Sequence, residues 1–320
     1  MYEMMKKQNF GVEIELTGVT RRKAAKVIAA YFGTAAQYAG DSYETWTAAD
    51  RERRIWKAMS DGSIRTERKE GTVRVRAGGL YACEVVTPIL RYEDIEDLQN
   101  IVRALREAGA FANASCGIHV HVDGANHTPE SLTRLLNFAV GRQDLFYEAL
   151  EIGDRANRWC RKMDKSLLDA MKSDGERTKS SMERIWYSPA NGGYSGGIDH
   201  QHYNSSRYHG INLHAFFTKG TVEFRLFNGT THAGKIKAYI QFCLAMSAWA
   251  IDCPDTKLHF KSCANCTQEE KARLMRNVLK NRLGLRGAEF KTCREHLTAP
   301  FRSGADADAD TNAKNVTEVA

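Results

Sequence analysis

Two histidines stand two residues apart in the stretch GIHVHVDG, as His119 and His121. If this stretch is a β-strand, both imidazoles point to one face, because alternate side chains of a strand share a face. Ile118, Val120 and Val122 then form the opposite, apolar face. Taken alone, such a pair is more typical of hydrogen-bonded surface histidines than of a ligand site.

Four other segments repeat this pattern of one apolar and one polar face. The polar positions are Glu13 and Glu15 in FGVEIEL, Glu84 in ACEVVTP, Asn212 and His214 in INLHAFF, and Glu223 and Arg225 in TVEFRLF. A solvated sheet face usually mixes Thr, Lys, Ser and Gln. These segments instead present carboxylates, imidazoles, an amide and a guanidinium. The sequence therefore predicts that the five strands contribute to one site.

The chemistry of these side chains indicates a metal site. Four of them are carboxylates: Glu13, Glu15, Glu84 and Glu223. Such groups repel one another unless some are protonated or a cation lies among them. Oxygen ligands with one histidine favour Mg²⁺ or Mn²⁺ over zinc. Arg225 would lie on the same face as Glu223, where it could neutralise a transferring phosphoryl group.

The elements that position these residues predict an α+β fold with a mainly antiparallel sheet, because the strands do not alternate strictly with helices. Predicted strands are 9–17, 55–60 and 80–87, the His strand, and a hairpin of 209–217 with 221–228, and residues 43–48 are either a strand or a loop. A basic hairpin arm is GTVRVRAGG. Predicted helices are 20–32, 92–108, 128–151, about 158–171 and 232–252, with smaller helices to about 296.

Residues 172–207 are polar and rich in glycine, without helical or strand periodicity. The segment is longer than a usual structureless connection, so it is either a lid over the site or a disordered insertion. As a lid, it would bring Arg207 near a substrate carboxylate or phosphate. We expect a leader at 1–8, one catalytic domain at 9–300 that includes this insertion, and a disordered, low-complexity tail at 301–320.

Composition narrows the protein class. The 320 residues are 42% hydrophobic, which is ordinary for a soluble globular protein. The N-terminus has no apolar signal region, and no apolar run approaches the roughly 18 residues of a membrane span, so we expect a cytoplasmic protein without a membrane partner. The net charge of +7 suits a phosphate-bearing ligand. It is accompanied by no nucleic-acid-binding motif, and no P-loop or dinucleotide-binding glycine motif is present.

Eight cysteines are scattered along the chain. Without a secretory signal, free and mostly buried thiols are the natural interpretation. The CxxC pair Cys263 and Cys266, with Cys253 and Cys293 nearby in sequence, leaves a structural zinc site open as an alternative.

The order of the motifs carries a family resemblance. ExE on the first strand, SDGS at 60–63, a lone Glu before Thr-Pro, GxHxH, and ExR on a late strand follow one another over residues 9–252. This order resembles the amidoligase family, within the glutamine synthetase and glutamate–cysteine ligase superfamily of carboxylate–amine ligases. The resemblance implies a glutamine synthetase catalytic-domain-like fold, in which a curved sheet has a polar catalytic face and helices pack on its apolar face. It further implies that ATP phosphorylates a carboxylate and that an amine displaces the phosphate.

The same resemblance implies roles for single residues. The expected ligands of Mg²⁺ (or Mn²⁺) are Glu13, Glu15, Glu84, His119 and Glu223. His121 and Arg225 are expected beside the phosphates of ATP, as catalytic and nucleotide-binding residues, and Arg207 of the loop joins them as a catalytic candidate. Further candidate nucleotide contacts are Asp61 and Ser63 of SDGS, together with Asn212.

The expected partners are a small-molecule or peptide carboxylate and an amine. The pattern leaves two other functions open. One is a metal-dependent hydrolase that uses the carboxylate and histidine cluster to activate water. The other is a nucleic-acid-binding protein that exploits the positive charge.

Overall fold

The computed structural model describes residues 2–191, 197–253 and 263–302. In this part of the chain, eight strands form one sheet and two form a separate hairpin. The strands are Phe10–Leu16 (β1), Gln37–Tyr38 (β2), Trp46–Ala49 (β3), Ile55–Met59 (β4), Glu67–Glu70 (β5), Val73–Arg76 (β6), Cys83–Val86 (β7), Gly117–Asp123 (β8), Ile211–Asn212 (β9) and Thr221–Asn228 (β10).

The large sheet has the strand order β2-β3-β4-β7-β1-β8-β10-β9, and every neighbouring pair in it is antiparallel. The prediction of a mainly antiparallel sheet in a mixed fold of strands and helices is therefore confirmed. The predicted basic arm, residues 71–79, contains β6, which pairs with the preceding β5 in the separate hairpin. Strand β1 lies between β7 and β8, so the ExE segment is central in the sheet.

The described residues also form eleven α-helices. They are Tyr2–Lys7 (α1), Arg21–Phe32 (α2), Ile95–Glu107 (α3), Pro129–Val140 (α4), Gln143–Ala149 (α5), Lys165–Ser173 (α6), Lys179–Trp186 (α7), His214–Lys219 (α8), Ala233–Asp252 (α9), Gln268–Asn277 (α10) and Lys291–Thr298 (α11). None of the helices in the described ranges is long and apolar enough to cross a lipid bilayer.

The core lies on the apolar face of the sheet. Val12, Ile14 and Val120 of the central strands are almost completely buried. Helices α2 and α9 pack on this face, and α9 is apolar nearly all round, as expected for a buried helix. Since each fully buried aliphatic side chain contributes about 1.5–3 kcal/mol, this face fixes the register of the strands. The opposite face is left to the polar side chains.

The helix predicted at 20–32 is confirmed together with its caps. The Thr20 side chain accepts a hydrogen bond from the Lys23 backbone N at 3.3 Å, which satisfies one of the free N–H groups of the first turn. Gly33 ends α2 in the left-handed conformation, with φ of 71°. The helix predicted at 92–108 is likewise observed, as a short 3₁₀ turn followed by α3.

The strand predicted at 209–217 is wrong over most of its length. Only Ile211–Asn212 pairs with β10, and the chain then enters α8. The Asn212 side-chain oxygen accepts a hydrogen bond from the His214 backbone N at 2.8 Å, which turns the chain into the helix. Asn212 and His214 therefore do not share a strand face, and the predicted hairpin reduces to two paired residues.

Two predicted helices have different bounds in the structure. The helix predicted at 128–151 is divided into α4 and α5, because the chain turns at Gly141 and Arg142. The helix predicted at about 158–171 begins later, as α6, where the Asp164 side chain accepts a hydrogen bond from the Ser166 backbone N at 2.7 Å. A 3₁₀ turn, Gly153–Asn157, lies between α5 and α6.

The segment 172–207 is folded over its described part, so disorder is the wrong interpretation there. It contains α7, whose Trp186 is fully buried and donates a hydrogen bond to the Ser206 hydroxyl at 3.0 Å. The neighbouring Tyr187 hydroxyl hydrogen-bonds His214 Nδ1 at 2.7 Å. Residues 192–196 of the segment lie outside the described residues. A lid function stays a prediction.

The two chain ends were expected to be a leader and a tail. Residues 2–7 form α1, which packs on α9 and buries Met5. Gln8 donates a hydrogen bond to the Leu244 carbonyl at 2.9 Å. At the other end Phe301 is buried, and the rest of the predicted tail, from 303 onward, lies outside the described residues.

None of the eight cysteines, all of which lie in the described ranges, forms a disulfide, and six of them are buried, as predicted. Among the described residues, the groups of side chains close enough to hold a metal consist of Glu, Asp and His only. A zinc site at Cys253, Cys263, Cys266 and Cys293 thus finds no support in the described part of the chain.

Candidate active site

The strand register brings the predicted polar residues together. Glu13 of β1 stands opposite His119 of β8, and Glu15 stands opposite Glu84 of β7. On the other side of β8, His121 stands opposite Glu223 of β10. Residues directly opposite in an antiparallel pair have neighbouring side chains, so these residues form one continuous patch across four central strands.

Three groups within this patch have their ligand atoms within 4.8 Å of one another. They are Glu13 with Glu84 and His119, Glu13 with His121 and Glu223, and Glu15 with Asp61 and Glu84. Each of the five predicted metal ligands therefore lies close enough to at least two other candidate ligands to share a metal ion with them. It adds Asp61 and His121, which were predicted as nucleotide contacts, to the possible ligands.

The donor set fits a divalent cation. His119 Nε2 is buried without a hydrogen-bond partner among the described residues, and it lies 3.7 Å from Glu15 Oε1. Its Nδ1 lies 2.9 Å from Glu13 Oε2, so a carboxylate orients the ring. A buried imidazole nitrogen that faces carboxylate oxygens is the usual arrangement of a metal ligand.

One end of the patch has its own counter-charges. Glu223 Oε1 accepts a hydrogen bond from Arg225 Nη1 at 2.5 Å, and Oε2 accepts one from Asn212 Nδ2 at 2.5 Å. Burial would raise the pKa of Glu223, but the cationic Arg225 and His121 outweigh it and lower this pKa to about 2. We call Glu13, His121 and Glu223, with Arg225, the balanced end.

Arg225 thus forms a buried ion pair with Glu223. Such an ion pair is a structural role, and it is the alternative to phosphate binding for this arginine. Its Nε also donates a hydrogen bond to the Trp159 carbonyl at 3.4 Å. Because Arg225 lines the cleft as well, the ion pair holds the guanidinium in place without excluding contact with a substrate.

At the opposite end of the patch, no lysine or arginine of the described residues lies within ion-pair distance of the carboxylates. Burial raises the pKa of Glu84 well above its ordinary value, and the negative charges of Glu13, Glu15 and Asp61 raise it further. Glu15 accepts a hydrogen bond from the Gly117 backbone N at 2.6 Å. We call Glu15, Asp61 and Glu84 the acidic end. A divalent cation there would reverse the sign of the field that acts on Glu84.

Glu13 belongs to two of the three metal-capable groups, so it connects the balanced end with Glu84 and His119. Burial would raise its pKa, yet the His121 and His119 imidazoles hold this pKa well below its ordinary value. In turn burial lowers the pKa of His121, but Glu13 and Glu223 outweigh this effect and raise it. Glu13 and His121 therefore stabilise each other's charged forms.

Glu13, Glu15, Glu84 and His119 of the patch line a cleft of about 800 Å³. Cationic and aromatic side chains line the same cleft: Arg155, Arg158, Trp159, Arg207, Tyr208, Lys219 and Arg225. A cleft that combines metal-capable carboxylates with several arginines suits a ligand with several negative charges, such as a polyphosphate held through cations.

Sequence reasoning named Arg207 and Arg225 but missed Arg155, Arg158 and Lys219. Arg155 and Arg158 lie in or just after a 3₁₀ turn, where no strand or helix periodicity indicates a direction. Lys219 ends α8, which was predicted as strand. The clustering of Arg155, Arg158 and Arg161 in the sequence is the one signal that could have drawn attention to this segment.

Three predicted nucleotide contacts have defined places in the structure. Ser63 lines the cleft, and its backbone N donates to Asp61 Oδ1 at 2.6 Å. Asn212 positions Glu223 and lines a second, smaller cavity of about 210 Å³ beside the first. Arg207 lies at the wall of both cavities, and its Nη1 donates to the His202 carbonyl at 2.7 Å. Contact of these residues with a nucleotide or substrate stays a prediction.

Comparison with known proteins supplies one family match. Residues 6–247, most of the chain, match a family model described as "Putative amidoligase enzyme". A search of curated proteins gave no significant match. The matched range contains every residue of the patch described above.

Proposed function

Because the chain belongs to the amidoligase family, we propose that it is an ATP- and Mg²⁺-dependent carboxylate–amine ligase. The family description indicates an enzyme that forms amide bonds. The proposal adds ATP as the energy source, an acyl-phosphate intermediate, and a fold related to the catalytic domain of glutamine synthetase. The observation that carries it is the cleft that metal-capable carboxylates and His119 line together with several arginines.

The metal ligands in this proposal are the predicted five, Glu13, Glu15, Glu84, His119 and Glu223, with Asp61 and His121 as further donors. Mg²⁺ or Mn²⁺ at these residues would neutralise oxygens of the ATP phosphates. His119 needs a neutral imidazole to act as a ligand, and its contact with Glu13 fixes which ring nitrogen faces the acidic end.

In the proposed reaction, an oxygen of the acid substrate attacks the terminal phosphorus of ATP, and ADP leaves. The amine nitrogen then attacks the carbonyl carbon of the acyl phosphate, loses a proton, and inorganic phosphate leaves. Arg225 supports the first step because its guanidinium is held rigidly at the cleft wall by Glu223. A preorganised cation stabilises charge on the transferring phosphoryl group without reorganisation during the step.

The experiment that tests this function measures ADP release by the full-length protein with Mg²⁺ and ATP. Amino acids, polyamines and peptides are supplied as paired acids and amines, and mass spectrometry identifies an amide product. The proposal predicts ADP release that requires both an acid and an amine, and no release by Glu15→Gln. Metal-dependent cleavage of an amide without nucleotide would instead select the hydrolase. Salt-sensitive retention on DNA without ADP release would select a nucleic-acid-binding protein.

A further inference from the structure

Arg155 is a buried cation that forms no ion pair with any carboxylate of the described residues. It lies in the 3₁₀ turn Gly153–Asn157, outside the motifs that indicated the site, and it lines the cleft. Arg155 as a whole residue is only 8% exposed. Its Nε and Nη2 atoms have no hydrogen-bond partner among the described residues. A buried guanidinium is costly unless its donors are paired, so this arrangement calls for a ligand.

The two unpaired atoms are adjacent donors on one edge of the guanidinium. This edge forms two parallel hydrogen bonds to a carboxylate or a phosphate, which is the geometry in which arginine binds such anions most specifically. A ligand that offered only a point charge would not need two adjacent donors. The pairing of the unsatisfied atoms therefore indicates a ligand group with two oxygens.

Within the described residues, the surroundings of Arg155 supply no hydrogen-bond partner for these two atoms. A Cβ atom at Gly117 would lie only 2.4 Å from Arg155 Nη2, so the absence of a side chain at Gly117 makes room for the guanidinium. The Cys160 thiol lies nearby: its pKa is raised by burial, and Arg155 opposes that rise. A neutral thiol is a weak acceptor and does not satisfy a guanidinium. Glu15 accepts its hydrogen bond from the Gly117 backbone instead.

Arg225 makes a useful contrast in the same cleft. Its guanidinium is engaged by the Glu223 carboxylate and the Trp159 carbonyl, so its charge is compensated within the fold. Arg158 is exposed and stacks on the Trp159 ring, with 4.3 Å between its Cζ atom and the ring centroid. Of these three arginines, Arg155 alone is both buried and unpaired within the described residues.

We propose that Arg155 is the receptor for a two-oxygen anion of a substrate that binds in the cleft. The anion is either a phosphate of the nucleotide or a carboxylate of the acid substrate, which present the same chemistry to the guanidinium edge. The inference deepens the proposed function by assigning a substrate contact. Anion binding can be measured without turnover, so the two can fail separately.

The test is calorimetric titration of the full-length protein, in the presence of Mg²⁺, with tripolyphosphate and separately with glutarate. The variants are Arg155→Met, Arg155→Lys and the matched control Arg106→Gln, which removes the same charge from an exposed position of α3 outside the cleft. Arg155→Met should lower the affinity for at least one probe by about tenfold or more, since hydrogen bonds to charged groups are strong. Arg155→Lys should not restore it, because an ammonium lacks the planar edge. Arg106→Gln should stay within about threefold of the wild type.

The probe affected identifies the source of the anion. Loss confined to tripolyphosphate assigns Arg155 to the nucleotide, and loss confined to glutarate assigns it to the acid substrate. The proposal is overturned if the wild type binds neither probe, if Arg155→Met keeps both affinities, or if Arg106→Gln loses as much as Arg155→Met.

Thermal unfolding without ligand separates this role from a structural one. Removal of an unpaired buried cation should leave Tm of Arg155→Met unchanged or raise it. A lowered Tm with unchanged anion affinity would show that Arg155 serves the fold. Should the ligase assay fail while Arg155→Met still loses anion affinity, the proposed function falls and the anion receptor stands.

Discussion

The two ends of the candidate metal centre contain similar carboxylates in opposite charge environments. At the balanced end, Arg225 and His121 lower the pKa of Glu223 to about 2, although the carboxylate is buried. At the acidic end, burial and neighbouring carboxylates raise the pKa of Glu84 well above its ordinary value. Burial is common to both, so the difference comes from the neighbours.

The fold itself supplies the charge that stabilises the Glu223 carboxylate at the balanced end, whereas the carboxylates of the acidic end need a bound ligand. The balanced end is complete without a bound ion, because the ion pair of Glu223 with Arg225 is part of the buried structure. The acidic end holds Glu15, Asp61 and Glu84 together with no cation of the described chain in ion-pair contact with them, apart from the His119 ring near Glu15. We infer that the acidic end depends most on a metal ion.

Arg225→Met tests the balanced end and should have the largest effect on stability. The variant leaves the Glu223 carboxylate buried without its counter-charge, which typically costs about 3–5 kcal/mol. Urea denaturation at neutral pH measures the change in the free energy of unfolding. The matched control Arg158→Met, at an exposed cleft position, should change it by less than about 1 kcal/mol. Equal small losses in both variants would mean that the ion pair contributes little.

Arg225→Lys addresses catalysis at the same end. Lysine keeps the charge but not the planar, bidentate donor geometry, so kcat for ATP-dependent product formation should fall about a hundredfold or more. Because the ammonium can still partly compensate Glu223, the variant should unfold at a higher urea concentration than Arg225→Met. The assay is ADP release under saturating substrates. Turnover within about threefold of the wild type would leave Arg225 a purely structural residue.

Glu84→Gln and Glu223→Gln should change metal-free stability with opposite dependence on pH. Since the folded-state pKa of Glu84 is raised, the folded state binds more protons than the unfolded state above the ordinary value of 4.5, and wild-type stability falls as pH rises through the raised pKa. Glu84→Gln removes this loss, so its advantage over the wild type should grow with pH. With Glu223 the pKa is lowered to about 2, so its contribution is present above 4.5 and is lost as pH falls toward 2.

Urea unfolding with a chelator, at a series of pH values between 3 and 8 chosen for the experiment, measures both slopes. Glu223→Gln should be less stable than the wild type at neutral pH and approach it in acid. Parallel curves for the two variants would break the distinction between the two ends.

Lys219→Gln is expected to have the smallest effect. Its ammonium lies 3.8 Å from Glu13 Oε1, and its side chain is 48% exposed. Exposed pairs of this kind contribute about 0–1 kcal/mol and are screened by salt. The free energy of unfolding should change by less than about 1 kcal/mol, and the change should shrink as salt is added. A larger, salt-independent loss would show that Lys219 is a main counter-charge of the centre.

The sequence predicted the patch well because strand alternation is a local property. On β1, β7, β8 and β10, a period of two residues is sufficient to place the side chains on one face, and the observed register then joins them. The same reasoning failed after Asn212. There a side-chain hydrogen bond turns the chain into α8, and a short apolar run does not distinguish a strand from a helix.

Asp61 and Arg155 make contacts that could not be predicted from the sequence. Asp61 lies in a turn after β4, and it approaches Glu15 and Glu84 only because the sheet brings β4 beside β7. Arg155 reaches the cleft because Gly117, 38 positions earlier in the chain, leaves space for it. Contacts of this kind depend on tertiary packing, which neither residue spacing nor periodicity encodes.

The most direct test of the account is titration of Mn²⁺ into the metal-free protein by calorimetry at neutral pH. It is performed in two buffers of different ionisation enthalpy, on the wild type and on Glu84→Gln. Because Glu84 is protonated more readily than an ordinary carboxyl group, metal binding should release a proton from it. We predict that Mn²⁺ binds the wild type tightly with a buffer-dependent heat, and that it binds Glu84→Gln more weakly and releases fewer protons. Equal affinity and equal proton release in the two proteins would contradict a metal site at the acidic end.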